Sequence, residues 1–129
     1  MSVIVGYVPT QEGRAALRYA VTECVLRRCD LVVVQAPRRG DDAADELSAD
    51  VEAARSELEG SGLALEVTPG TDGNDAADDL IDAAATRSGD LIVIGLRRRT
   101  PIGKLILGSN AQRILLDAPC PVIAVKAEG

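Results

Sequence analysis

The sequence contains no histidine, tryptophan or phenylalanine, and its aromatic side chains are Tyr7 and Tyr19. Without histidine, the chain has no Ser-His-Asp triad, no Cys-His dyad and no histidine ligand for a metal. Two aromatic rings are too few for a surface on which nucleic-acid bases stack. These absences exclude much of hydrolytic enzymology and favour functions that do not depend on imidazole chemistry.

Cysteine is also scarce, and its spacing is uninformative. Cys24, Cys29 and Cys120 give an odd number of thiols with no C-x-x-C pair, so neither a disulfide framework nor a zinc site is predicted. Cys24 falls on the apolar stripe of a predicted helix and is expected to be a small buried hydrophobe. Cys120 has no cationic neighbour in sequence to lower its pKa, which favours a packed residue over a redox-sensitive thiol.

Long hydrophobic runs are absent as well. No apolar stretch approaches the roughly 20 residues that span a bilayer, and the chain enters its first apolar run without a basic leader region. A length of 129 residues suits one domain over residues 1–129. We therefore expect a cytoplasmic protein with no membrane partner.

Charge is unevenly distributed along the chain. The formal net charge of -6 argues against nucleic acid as a partner, because such binding depends on neutralising phosphates. Residues 41–82 carry fourteen acids and one base, whereas residues 91–116 carry five bases and no acid. The second segment is therefore the better candidate for binding an anion.

Apolar periodicity predicts nine alternating elements. Continuous apolar runs indicate buried strands, and apolar residues at helical spacing indicate amphipathic helices. The third of these helices should end at Gly89. The predicted strands are 3–5, 31–34, 63–67, 91–94 and 122–125, and the predicted helices are 12–28, 43–58, 75–87 and 109–116.

This order predicts an α/β fold with a doubly wound, five-stranded, mostly parallel sheet and helices on both faces. Strands 3–5 and 91–94 should be central because they are apolar throughout, and 63–67 should be an edge because it alternates. The apolar strand 122–125 is predicted at the other edge, where a second copy of the chain would cover it.

The segment after strand 91–94 has the layout of an anion-binding cradle. The strand runs into Gly95, a basic loop follows, and Gly108-Ser109 opens a helix whose first amides are unpaired. Ligands in such sheets bind beyond the carboxyl ends of the strands, here after Val5, Val34 and Ile94. A P-loop is excluded, because Leu105 follows Gly103-Lys104 where a hydroxyl is needed.

No metal site is predicted. The acidic pairs Asp41-Asp42 and Asp78-Asp79 stand early in predicted helices, where carboxylates are expected from the helix dipole alone.

Three segments together resemble the universal stress protein family: the pattern Gly95-x2-Arg98-x9-Gly108-Ser109, the stretch Asp-Ala-Pro-Cys-Pro-Val at residues 117–122, and Arg-Ala-Ala-Leu at residues 14–17. The resemblance covers essentially the whole chain. It implies the adenine nucleotide alpha-hydrolase-like fold, a regulatory role without catalysis, and a homodimer formed through the last strand. One branch of that family binds ATP and another does not.

Nucleotide-binding members of the family carry Gly-x2-Gly-x9-Gly-Ser/Thr and an aspartate just after the first strand. Here Arg98 replaces the middle glycine, and the aspartate position falls on Val8, which offers no hydrogen bond to a ribose hydroxyl. Cationic side chains can hold a phosphate in place of backbone amides. The resulting candidate site comprises Gly95, Arg97, Arg98, Gly103, Lys104, Gly108, Ser109, Asn110 and Val8.

The resemblance therefore implies a homodimer, joined through Val122, Ile123, Ala124 and Val125, that binds an ATP-like adenine nucleotide. Magnesium is expected only as an ion carried by the nucleotide. Structural alternatives stay open: Gly95 as a simple turn, Ser109 as an N-cap, and the arginines as a solvated loop. The alternative function is a nucleotide-free, dimeric protein-interaction module.

Overall fold

The computed structural model describes residues 2–8, 10–35, 42–68, 76–96 and 109–126. The nine elements occur in the predicted order, and all predicted bounds lie within two residues of the observed ones. In the described part of the chain, no helix combines the length and the apolarity needed to cross a membrane.

The strands are β1 Ser2–Tyr7, β2 Asp30–Gln35, β3 Leu65–Thr68, β4 Gly89–Leu96 and β5 Val122–Lys126, and the helices are α1 Gln11–Arg27, α2 Asp42–Gly60, α3 Ala76–Thr86 and α4 Ser109–Asp117.

The five strands form one parallel sheet in the order β3-β2-β1-β4-β5. The predicted α/β fold class is confirmed, with β1 central and with β3 and β5 at the two edges. Continuous β-branched and apolar runs explain the arrangement, since such strands are stable only when both faces are covered. Val3, Ile4 and Val5 of β1 are all fully buried.

Two hydrophobic layers cover the sheet, one on each face. Val3, Val5 and their neighbours pack against α1 and α2, whereas Ile4 faces α3 and α4, because successive strand residues point to opposite faces. On the first face the Tyr7 hydroxyl donates a hydrogen bond to the Asp50 carboxylate and joins the end of β1 to α2. Helices thus lie on both faces, as predicted.

The prediction that Gly89 ends the third helix is wrong. Ser88 adopts the left-handed conformation after α3, with φ of 53°, and Gly89 is already the first residue of β4. A Cβ atom at Gly89 would lie 2.9 Å from Cγ1 of Ile4 and 3.0 Å from Cα of Ala84. Glycine is therefore required at position 89 by packing between β1 and α3.

Candidate ligand-binding cleft

A cavity of about 210 Å³ opens at the carboxyl ends of β1, β2 and β4. The direction of winding reverses between β1 and β4, and open α/β sheets bind ligands at that point. Its described walls come from three strand ends and from α1, α3 and α4: Gly6, Tyr7, Val8, Glu12, Gly13, Val34, Gln35, Leu80, Ile94, Gly95, Asn110, Ala111 and Ile114.

The cavity has an apolar interior and a polar rim. Val34, Leu80, Ile94 and Ile114 are buried and line one side, while Glu12 and Gln35 are half-buried and Asn110 is exposed. Binding pockets for small molecules commonly combine apolar walls with a few polar groups that fix orientation. This arrangement suits a flat ring with polar edges.

The first turn of α1 lies directly on the end of β1. The Thr10 side chain caps the helix by accepting a hydrogen bond from the Gly13 amide at 3.2 Å, and the Thr10 amide donates to the Val8 carbonyl at 2.8 Å. A Cβ atom on Gly13 would lie 1.9 Å from the Val8 carbonyl oxygen. Glycine at position 13 is thus what lets α1 approach the strand this closely.

Gly95 allows a second close approach, between β4 and α1. A Cβ atom there would lie 2.3 Å from the carbonyl oxygen of Glu12. The reading of Gly95 as a simple turn is wrong, because β4 continues to Leu96 and the contact with α1 accounts for the glycine. Its backbone also lines the cavity, so contact between Gly95 and a phosphate stays a prediction.

Helix α4 begins at Ser109, as predicted, and its first turn contains no acidic residue. Asn110 and Ala111 of this turn line the cavity. Amides at a helix start have no partner within the helix, and the dipole makes this end favourable for an anion. The cavity therefore adjoins an electropositive helix end.

Arg113, one of the five bases of segment 91–116, pairs with acids rather than facing the cavity. Its guanidinium forms an ion pair with Asp78 of α3 and lies 3.7 Å from the carboxylate of Asp117. The segment that is free of acids in sequence is therefore partly neutralised in the fold. The uneven distribution of charge along the sequence therefore overstates the separation of charge in the fold, because α3 and α4 are in contact.

The structure brings Val8, Gly95 and Asn110 together around one cavity. Ser109 stands at the start of α4, but its side chain lies outside the described part of the chain. The remaining candidates also lie outside the described residues: Arg97, Arg98, Gly103, Lys104 and Gly108.

Sequence reasoning missed several lining residues. Gln35 had a usable signal, since it follows Val34 at the carboxyl end of β2, where the sequence predicts ligand binding. Leu80 lies on the apolar stripe of the third predicted helix, a pattern that indicates packing on the sheet and carries no signal of binding. Glu12 had no distinguishing signal, because an acid in the first turn of a helix is expected from the dipole alone.

The cysteines lie away from the cavity. Cys24 is fully buried, as predicted, and its thiol donates to the Asp30 carbonyl at 3.5 Å. Burial raises the pKa of Cys24, and burial together with the Asp90 carboxylate raises the pKa of Cys120. Raised pKa values make thiols less reactive, which favours packing roles for both residues. Within the described ranges, no cluster of three or more acids and cysteines could hold a metal.

Known proteins are similar to this chain in sequence and in fold. The pattern of the universal stress protein family matches residues 1–126. A universal stress protein of Mycolicibacterium smegmatis is 40% identical over 130 residues, covering 98% of each chain. A solved universal stress protein of Archaeoglobus fulgidus is 33% identical with a TM-score of 0.76, and the structure of one in complex with dAMP is 28% identical with a TM-score of 0.72; each comparison covers 98% of both chains. The fold is thus the adenine nucleotide alpha-hydrolase-like fold. The chain belongs to the universal stress protein family.

Proposed function

We propose that residues 1–129 form a single domain that binds an adenine nucleotide in the cleft at the ends of β1 and β4. The observation that carries the proposal is the apolar cavity with the start of α4 at its side. The related Archaeoglobus fulgidus protein solved with dAMP supports it. The role is regulatory rather than catalytic, and the compartment is the cytoplasm.

The cleft offers a distinct environment for each part of a nucleotide. The adenine ring packs against Leu80, Ile94 and Ile114, where its apolar faces are shielded from water. The phosphates extend toward the helix start at Ser109. Gly103, Gly108 and the side chains of Arg97, Arg98 and Lys104, all outside the described residues, complete their binding; magnesium enters only with the nucleotide.

The size of the cavity supports this division. Its 210 Å³ is below the roughly 300 Å³ at which pockets for drug-sized ligands begin. The described walls are thus sized for the base and sugar. Residues 97–108 join β4 to α4, the two elements on either side of the proposed phosphate position, so we assign the phosphates to that segment.

Isothermal titration calorimetry with AMP, ADP, ATP and cyclic AMP tests the proposal. We expect saturable binding. GTP, which has the same charge as ATP, is the control, and it should bind more weakly because its ring carries a different set of hydrogen-bond donors and acceptors. A ligand at about 100 times its Kd should raise the free energy of unfolding by about 2.7 kcal/mol, which a thermal shift detects. Absence of both signals at millimolar concentration contradicts nucleotide binding.

One observation favours the alternative, a nucleotide-free interaction module. Among the described lining residues the single formal charge is the carboxylate of Glu12, which repels phosphate. Under this alternative the exposed acids of α2, including Glu57 and Glu59, bind a basic protein partner. Nucleotide retained through purification would exclude it.

We further propose that the chain is a homodimer joined through β5. This strand is at the sheet edge, and Val122, Ile123, Ala124 and Val125 are all half-buried. The Ile92 amide of β4 donates a hydrogen bond to the Pro121 carbonyl at 3.0 Å, so the backbone of Pro121 faces β4. Along a parallel strand, every second residue directs its backbone groups to the same neighbouring strand. Ile123 and Val125 therefore bond to β4, while Val122 and Ala124 direct their backbone groups to the open edge.

Ala124→Pro is predicted to give a folded monomer, because proline removes an amide that faces the open edge and leaves the bonds to β4 intact. Sedimentation equilibrium should find twice the chain mass of 13.5 kDa for the wild type and 13.5 kDa for the variant. Val125→Pro is the contrasting control, since it removes an amide bonded to β4 and should lower stability. A monomeric wild type at micromolar concentration contradicts the dimer.

A further inference from the structure

Glu12 lies beside the carboxyl end of β4, next to the apolar wall of the cleft. Its backbone lies against Gly95, whose Cβ position would be 2.3 Å from the Glu12 carbonyl oxygen and 3.1 Å from the Glu12 Cβ atom. Glu12 is half-buried and lines the same cavity as Ile94 and Gly95. The side chain therefore starts at the level of Gly95, one residue beyond the apolar wall at Ile94.

The order of residues along β4 indicates which part of a bound nucleotide would lie beside Gly95 and Glu12. The apolar wall at Ile94 suits the base, and the chain beyond Leu96 leads into the basic segment assigned to the phosphates. The sugar of a nucleotide connects these two parts. A ligand with its base at Ile94 and its phosphates beyond Leu96 thus has its ribose beside Gly95 and Glu12.

The charge of Glu12 supports the same assignment. A carboxylate repels phosphate and accepts hydrogen bonds, so its suitable partners on a nucleotide are uncharged donors. The 2′ and 3′ hydroxyls of ribose are two such donors on adjacent carbons, and two carboxylate oxygens can accept from both. Acidic side chains bind ribose hydroxyls in this way in other nucleotide-binding α/β folds.

We propose that Glu12 is the ribose-binding, specificity-determining residue of the cleft, and that it replaces the carboxylate missing at Val8. This inference rests on the proposed function. Val8 and the first turn of α1 are in contact, since a Cβ atom on Gly13 would lie 2.9 Å from Cγ2 of Val8. A glutamate on that turn is one methylene longer than an aspartate would be at position 8, and the residues Val8 and Glu12 line the same cavity.

The test compares AMP with 2′-deoxy-AMP by calorimetry on the full chain. Both ligands carry the same phosphate charge, so their affinity ratio isolates the hydroxyl. We expect the wild type to bind AMP about 10-fold more tightly than dAMP, the effect of one hydrogen bond to a charged group. Glu12→Gln should reduce this ratio to about 2-fold or less, and Val8→Asp added to Glu12→Gln should restore it.

Glu23→Gln is the matched control. It removes the same charge from the same helix, where half-buried Glu23 forms an ion pair with the exposed Arg27 away from the cleft, and it should leave the ratio unchanged. A ratio unaffected by Glu12→Gln overturns the ribose role, even if affinity for both ligands falls. A wild type that binds neither ligand overturns the proposed function as well, so the two failures are distinguishable.

Discussion

Gly13→Ala is expected to lower the free energy of unfolding by about 3 kcal/mol, at the upper end of the usual cost of overpacking. The added methyl group would lie 1.9 Å from the carbonyl oxygen of Val8, so backbone rather than a flexible side chain must move. Alanine gains at most about 1 kcal/mol over glycine in a helix, which is too little to offset this clash. Urea unfolding followed by circular dichroism measures the difference.

Gly60→Ala is the matched control for Gly13→Ala. Gly60 is also helical, at the end of α2, but no atom lies within 4 Å of the position of its Cβ. Here helix propensity acts alone, and we expect no loss and a gain of up to about 1 kcal/mol. If both substitutions stabilised the chain, the close approach of α1 to β1 would be contradicted.

The core of the fold was predictable because its strands carry unambiguous local signals. The apolar runs at residues 3–5 and 91–94 are continuous, and both strands are buried at the centre of the sheet. The alternation of apolar and other residues at 63–67 identified an edge strand for a related reason, since only partly covered strands tolerate it. In each case the signal and its structural cause lie within the same few residues.

Positions determined by contacts between distant segments were not predictable. Helices commonly end at a glycine in the left-handed conformation, and this rule points to Gly89 after α3. Ser88 adopts that conformation instead. Gly89 is instead a glycine because Ala84 and Ile4 both pack against it, and Ile4 lies 85 residues earlier in the chain. No local pattern contains the contact with Ile4.

The same limit applies to the cleft. The candidate residues Gly95 and Asn110 do line the cavity, because the strand end and the helix start that flank the motif are joined by one segment of chain. Glu12 and Gly13 belong to another element, and they reach the cavity only because α1 packs on β4. Gly13 reads in sequence as a poor helix former, and its role is visible only beside Val8.

Ala111→Phe is expected to abolish nucleotide binding and leave the fold intact. Ala111 is half-buried on the first turn of α4 and lines the cavity, so a phenyl ring added there fills much of a space of about 210 Å³. The ring competes directly with the base and sugar of the ligand. We expect affinity for AMP to fall at least about 100-fold, which corresponds to about 2.8 kcal/mol.

The stability of Ala111→Phe separates loss of the site from loss of the fold. Because the ring enters existing empty space, the free energy of unfolding should change by less than about 1 kcal/mol, unlike overpacking of a filled core. Ala85→Phe makes the same chemical change at an exposed position of α3 and should bind AMP as the wild type does. Since the cavity is the physical basis of the proposed function, wild-type affinity in Ala111→Phe would place the ligand elsewhere.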